Sequence, residues 1–273
     1  MKFDLHCHTK EGSLDSKVPV ETYARRFAIL GYDGFMIADH NSYRGCLAWD
    51  RMMKKPESRE EFKDLTVIRG MEYDTKDAGH ILIIMPDGVY LPIFRIRGMR
   101  VRRLIPLVHT FGGICGPAHP FGVKTSSMMG FKSADHQLLS EMDFVEVFNT
   151  CEQPLANQLA RELAEKYGLP GIGGSDAHTF RYIGMAYTEI PHRITCNNDL
   201  IHALKFHNDA EAGGIELVPT KKGKAKEHWV GLTAFHLYNH GLGKMKSPRR
   251  AIHHYRLRKD KNILTDDTGS DRP

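Results

Sequence analysis

The sequence predicts an α/β fold closed as a barrel, on three observations. A chain of 273 residues that is 41% hydrophobic is long enough for one large core of barrel size. Residues 1–195 alternate short β-runs with amphipathic helices, the pattern of a mainly parallel sheet flanked by helices. Imidazoles and carboxylates recur where those β-runs stop, in early, middle and late runs alike. An open doubly wound sheet would hold the first and last of them far apart, whereas a barrel gathers all its strand ends around one centre.

The elements follow in order. β-Runs are expected at 2–5, 34–38, 66–71, 80–85, 113–118, 143–148, 171–174 and 185–190, from their length, β-branched content and Gly or Pro borders. Helices are expected at 19–31, 43–54, 101–111, 134–141, 154–168 and 198–207. In the first, Val20, Tyr23, Ala24, Phe27 and Leu30 form one apolar stripe, and Gly31 stops it. In the fifth, Pro154 opens the helix and Gly168 closes it. Residues 91–103 are basic and broken. Beyond about residue 208 the pattern weakens: 209–214 is loop-like, 221–226 is a solvated charged run and 263–273 a disordered tail. This gives a barrel domain at 1–207 and a basic C-terminal extension at 208–273.

Composition narrows the class. No apolar stretch approaches the roughly 20 residues that cross a bilayer, so no membrane partner is expected. The N-terminus lacks a basic segment followed by an apolar one, so no signal peptide is expected. The five cysteines, Cys7, Cys46, Cys115, Cys151 and Cys196, form no CxxC pair, which disfavours a thiolate zinc site and fits a reducing cytoplasm. Cys7 reads as a buried packing residue, its side chain pointing away from those of its neighbours. The net charge of +5 is uneven: residues 220–262 hold twelve Lys or Arg against Glu227 and Asp260, a surplus of ten that leaves the remainder at −5.

The chemistry lies at the strand ends. His6 and His8, at i and i+2, point the same way and can reach one ion, although such a pair alone also reads as polar surface or a satisfied core pair. Asp39-His40 closes the second run with the same ambiguity. Glu72 follows the third, where an acid needs a partner or costs several kcal/mol; a metal or Arg69 would serve. His80 opens its run, His119 stands between Pro117 and Pro120, and Asp176 and His178 repeat the i, i+2 spacing. Mixed nitrogen and oxygen ligation suits zinc, manganese or iron. The set exceeds one tetrahedral shell, so two or three divalent ions are expected. A bridging carboxylate and paired ions stabilise hydroxide at neutral pH and clamp both oxygens in displacement at phosphorus.

Asp4-Leu5-His6-Cys7-His8-Thr9, Ala38-Asp39-His40-Asn41, Gly70-Met71-Glu72, Gly79-His80, His119-Pro120 and Gly174-Ser175-Asp176-Ala177-His178 occur in the order seen in the PHP family, the polymerase and histidinol phosphatase superfamily of metal-dependent phosphoesterases. The chain resembles that family from residue 3 to about 190. The resemblance implies a distorted (β/α)7 TIM-like barrel, here with the basic extension, and a trinuclear site. One ion would take His6, His8, Glu72 and Asp176. A second would take Glu72 with His80 and His119. The third would take His40 and His178 with an acidic or imidazole residue after the first motif, for which Asp15 is preferred here over Glu11; other members place this ligand at the position of Ser13. If neither acid binds, two ions remain. Glu146 matches an acid near the site in many relatives, against a plain reading as a buried partner of a helix N-terminus or an Arg. Asp39 is expected to orient an imidazole. The segment Ile183–Thr188 resembles the extension of stand-alone members.

Phosphate also needs cations. Arg44, Lys124 and Arg181 each follow a motif closely and are the substrate-binding expectations, each against a plain reading as surface charge. Residues 220–262 interleave Trp229, Phe235, Tyr238 and Tyr255 with cations, a pattern that can hold nucleic acid or simply coat a C-terminal helix. The expected function is therefore a cytoplasmic phosphoesterase acting on a phosphate mono- or diester: a nucleotide, a short oligonucleotide or a small phosphorylated metabolite. Attack would come from a metal-bridging hydroxide, with Glu72, Asp176 and His178 in the reacting machinery and His178 or a nearby acid protonating the leaving group. The alternative is a non-catalytic nucleic-acid-binding or assembly module that keeps its metals for stability.

Overall fold

The computed structural model describes residues 1–122, 126–130 and 136–216. The first strand, β1 (Lys2–Cys7), is followed by α1 (Val20–Ile29), β2 (Gly34–Ile37), α2 (Arg44–Met52), α3 (Pro56–Glu61), β3 (Thr66–Asp74) and β4 (His80–Ile84). Then come α4 (Val101–Thr110), β5 (Ile114–Pro117), β6 (Val145–Asn149), α5 (Pro154–Tyr167), β7 (Gly171–Gly174), β8 (Ala186–Glu189), α6 (Asn197–Phe206) and β9 (Glu211–Gly214). The apolar stripe of α1 buries Val20, Tyr23, Ala24 and Phe27, while Leu30 lies past the helix end and is 37% exposed. In α5, Pro154 occupies the first turn and Gly168 ends the helix in the left-handed conformation, φ 63°, as its sequence asymmetry requires.

Seven strands form one curled sheet in the order β5-β4-β3-β2-β1-β8-β9, and β6 pairs with β7 in a second, two-stranded sheet. β1, β2 and β3 run parallel, whereas β4, β8 and β9 run antiparallel to their neighbours. The sheet is therefore mixed, not mainly parallel. Only residues 75–79 join β3 to β4, and so short a link permits a hairpin but no crossover. A parallel bridge, Cys7 to Ala177, sets the end of β7 beside the end of β1. The result is a mixed α/β fold with a half-barrel sheet.

Four local expectations change. The 134–141 helix is a 3-10 segment, His136–Glu141. α3 was not legible because it buries no residue and so carries no apolar stripe. Residues 211–214, expected as loop, pair with β8, which carries the sheet past the expected domain edge at 207. Glu-Ala-Gly-Gly has no strand-forming side chain; the edge of β8 supplies the pairing. β3 runs three residues longer than expected and takes Glu72 and Asp74 into the strand itself.

The inner face of the sheet is graded. Phe3, Leu5, Met36, Ile68, Leu82, Ile84 and Ile114 form an apolar cluster closed by Leu200, Ile201 and Leu204 of α6. Burying each of those α6 side chains contributes roughly 1.5–3 kcal/mol. Higher along the same faces stand acids and imidazoles. In β3 the alternation runs from Ile68 to Glu72 and Asp74; across the ladder Asp74 pairs with His80, and Glu72 with Leu82. In β1 an irregularity between Asp4 and Cys7 moves Cys7 to the outer cluster with Phe35 and Ile37. His6 and His8 thereby face inward although Phe3 and Leu5 below them do so too.

Candidate metal centre

Glu72 stands at the middle of the site. Its carboxylate oxygens lie within 2.8–3.5 Å of the five imidazoles of His6, His8, His40, His80 and His119. Asp176 approaches His8 Nε2 at 3.2 Å and His6 Nε2 at 3.7 Å. At the mouth, Asp15 Oδ2 lies 3.3 Å from His178 Nε2 and 3.5 Å from His40 Nε2, and the side chains of Asp15 and His178 are both 27% exposed. Glu11 lies elsewhere in the structure. Its carboxylate accepts the Val20 N–H and caps α1, which begins after a proline with no side-chain cap of its own.

The supporting shell controls which imidazole nitrogen is free. His6 Nδ1–H donates to Glu146 Oε1 at 2.8 Å, and Glu146 Oε2 accepts the His119 N–H at 2.6 Å and the Asn149 amide at 3.2 Å. Glu146 thus orients two members of the set at once. Ser13 donates to Asp39 Oδ1 at 3.0 Å, so its oxygen is left to accept from His8 Nδ1 at 3.2 Å. Asp39 touches no imidazole directly, contrary to the simplest expectation; it acts through Ser13 and also accepts from Thr9 and Gly45. A Cβ at Gly12 or Gly45 would fall 1.9 or 2.2 Å from Asp39 Oδ2, so both positions need glycine. Tyr23 of α1 donates its hydroxyl to the Ala177 carbonyl, tying the helix to the Asp176–His178 segment.

Strain collects at the same place. Asn41 (φ 48°), His119 (φ 30°) and Asp176 (φ 50°) are the left-handed non-glycine residues among the described residues, and each such conformation costs on the order of 1–3 kcal/mol.

The electrostatics follow from buried acids among imidazoles. Burial alone would raise Glu72, but His80, His40 and His6 outweigh it and hold its carboxyl well below the usual range. Burial alone would lower His6, but Glu146, Asp176 and Glu72 hold it well above its ordinary value. His119, by the same balance against Glu72, is pushed up to about 9. His8 goes the other way, down to about 3, because burial combines with the charges of His178 and His40. His8 is therefore neutral, with its Nε2 lone pair aimed at the centre.

This donor set fits divalent cations. His6 and His8 both commit Nδ1 protons outward and present Nε2 inward, beside buried carboxylate oxygens, Glu72 Oε2 and Asp74 Oδ1, that make no well-aligned hydrogen bond although His40 and His80 lie 2.9 and 3.1 Å away. Lone pairs and anions converging in a dry pocket require positive charge there. Asp74, only 8% exposed, is the member that sequence reasoning missed. It lies 3.1 Å from His80 Nε2 and 3.8 Å from His40 Nδ1. Its signal was available: it stands at i+2 from Glu72 and directly across a short hairpin from His80.

Two of the expected phosphate contacts, Arg44 at the start of α2 and Arg181 in the 3-10 turn Phe180–Tyr182, are exposed. Lys124 and the basic segment 220–262 lie outside the described residues. Among the described residues no helix is long and apolar enough to cross a membrane.

A model of PHP-associated sequences matches residues 154–208. No curated protein matches the chain. Among solved structures, PsfC from Pseudomonas syringae PB-5123 is similar over 80% of this chain and 91% of its own, with 18% identity and a TM-score of 0.54. A two-domain protein from Bacteroides vulgatus, containing a predicted PHP-like metal-dependent phosphoesterase, is similar over 78% of this chain and 64% of its own, with 18% identity and a TM-score of 0.56. An endonuclease Q, in complex with a 27-mer duplex substrate bearing an abasic lesion at its active site, is similar over 79% of this chain and 60% of its own, with 17% identity and a TM-score of 0.58. The chain thus spans less than two thirds of the length of those last two proteins.

Proposed function

We propose that this chain is a PHP-type metal-dependent phosphoesterase that hydrolyses a phosphate mono- or diester, a reading supported by the match of residues 154–208 to PHP-associated sequences and by the likeness of its fold to a protein containing a predicted PHP-like phosphoesterase. The observation that carries the reading is the Glu72 carboxylate encircled by imidazoles from β1, β4 and the ends of β2 and β5. His6, His8, Glu72 and Asp176 would hold one divalent ion, Glu72, His80 and His119 a second, and Asp15, His40 and His178 a third, with manganese, zinc or iron the suitable metals. When bound, such ions supply Lewis acidity that makes water nucleophilic at neutral pH and offsets charge on phosphate oxygens. We read the half-barrel and the β6–β7 pair together as a distorted (β/α)7 barrel, and the residues beyond it as a basic extension.

The chain's own groups divide the remaining work. Glu146 and Ser13 hold the tautomers of His6 and His8, so that Nε2 of each stays a lone-pair donor. Asp176, aimed inward by its left-handed backbone, shares those two imidazoles. With only two ions bound, His178 at the partly open mouth, 3.3 Å from Asp15, can hold a proton on Nε2 and pass it to a departing oxygen. Arg44, Arg181 and Lys124 are assigned the phosphate contacts from their place just after the motifs in sequence, and the first two are exposed as that role needs. Among nucleotides, oligonucleotides and phosphorylated metabolites, likeness to an enzyme of duplex DNA favours a nucleotide or nucleic-acid ester. Free cysteines throughout suit a reducing, cytoplasmic setting.

The test is hydrolysis of chromogenic mono- and diesters by the manganese-loaded chain, compared with His6→Ala. Turnover that the variant loses supports the reading. No turnover of any ester by the loaded wild type overturns it in favour of a binding module.

A further inference from the structure

A second group of imidazoles stands at the opposite end of the sheet. His192 follows β8, His207 caps the C-terminus of α6, and Asp209 precedes β9. His192 Nε2 lies 2.8 Å from Asp209 Oδ2, and the rings of His192 and His207 are 4.1 Å apart, tilted by 33°. One nitrogen from each imidazole and one Asp209 oxygen fall within 4.8 Å of one another. Three ligands on one ion at about 2.1 Å sit roughly 3.4 Å apart, so small side-chain rotations close the set. His202 on α6, with its ring 5.6 Å from that of His207, stands outside this trio and would have to turn toward it to become a fourth ligand. Asp33, Glu189 and Glu211 line the depression that Asp209 shares with the start of β1, together with Met1 and Lys2.

The contrast with a third cluster is instructive. Around Asp143, one carboxylate oxygen already accepts both the Cys115 N–H and His109, each at 2.9 Å, and burial holds the Cys115 thiol protonated. That cluster is spoken for. At the second group each imidazole is partly exposed, so an ion has an entry path.

We propose that His192, His207 and Asp209, with His202, form a structural site for a borderline transition cation such as zinc or cobalt(II). Imidazole-rich ligation with one carboxylate selects that class. The site joins the β8–α6 connection to the α6–β9 connection across 17 residues. It thereby fastens α6, which closes the apolar floor of the half-barrel. Its place at the end of β1 remote from His6 and His8 agrees with a role in stability, because chemistry in such folds gathers at the other end.

Cobalt(II) titration of the chelator-stripped full chain tests the site, with the bound ions counted by elemental analysis and the tetrahedral d–d absorption recorded. The wild type is expected to hold one ion more than His207→Ala or Asp209→Asn. The affinity of that ion should fall by at least about 100-fold in the variants, beyond the effect of an outer-shell change. Ester turnover should be unchanged, and zinc should raise the melting temperature of the wild type more than that of either variant. Asp209→Asn, a surface change, keeps the test open if His207→Ala folds poorly. Equal ion counts in all three proteins, or filling only at millimolar cobalt, would overturn the proposal.

Discussion

His6 Nε2 and His8 Nε2 lie 3.0 Å apart with their other ring nitrogens committed to Glu146 and to Ser13. Two lone pairs so arranged would repel, so one proton, which the neighbouring acids hold on His6, or a metal must lie between them. The outer partners therefore determine what the inner nitrogens can do.

Glu146→Gln should release that control at His6, because an amide can donate as well as accept. Metal affinity and ester turnover should each fall about 10- to 100-fold, with the fold intact. Manganese titration followed by calorimetry checks this, and an unchanged affinity would assign Glu146 to packing alone.

The metal-free protein should lose stability as pH rises from 6.5 to 9. His119 has its ordinary value of 6.5 in the unfolded chain and about 9 in the fold, so its contribution is full below pH 6.5 and is lost as pH rises toward 9. Glu72, held below its ordinary 4.5, contributes above that value and loses its contribution only in acid. Melting temperature in chelator should therefore fall between pH 6.5 and 9. With manganese it should hold or rise over the same interval, since cations bind better as imidazoles lose protons. A parallel decline with and without metal would contradict this.

Asp15 and Glu11 should separate cleanly. Asp15→Asn should lower turnover at least about 10-fold and reduce the ion count by one, with little change in melting temperature. Glu11→Gln should keep ions and turnover but destabilise by about 0.5–1 kcal/mol through the weakened cap of α1. Elemental analysis and thermal melts on both variants decide it; the opposite pattern would exchange their roles.

Asp74→Asn should weaken metal binding by about 10-fold or more, with a loss in the metal-free melt limited to its ion pair with His80. Retention of full affinity would make Asp74 a bystander to His80.

The strands and helices were legible wherever one periodicity dominated, as in α1 and α5. α3 and β9 were not, because one buries nothing and the other depends on its neighbour for pairing. Of the site, His6, His8, His40, Glu72, His80, His119, Asp176 and His178 were nameable in advance because each interrupts an apolar run with a group that needs a partner. Asp74 carried a local signal in its i+2 spacing from Glu72, whereas the paths through Ser13 and Glu146 did not, since each depends on which side chains face one another across strands distant in sequence.

By itself, then, the order of residues determined which groups are available for chemistry and that they sit at strand ends. Only tertiary structure decided that the sheet is mixed, that a bulge in β1 turns His6 and His8 inward, and that Asp15 rather than Glu11 reaches the mouth. The reason is physical: residue type and spacing set what a side chain can do and its local direction, while facing partners and the free ring nitrogen arise from contacts that no local pattern encodes.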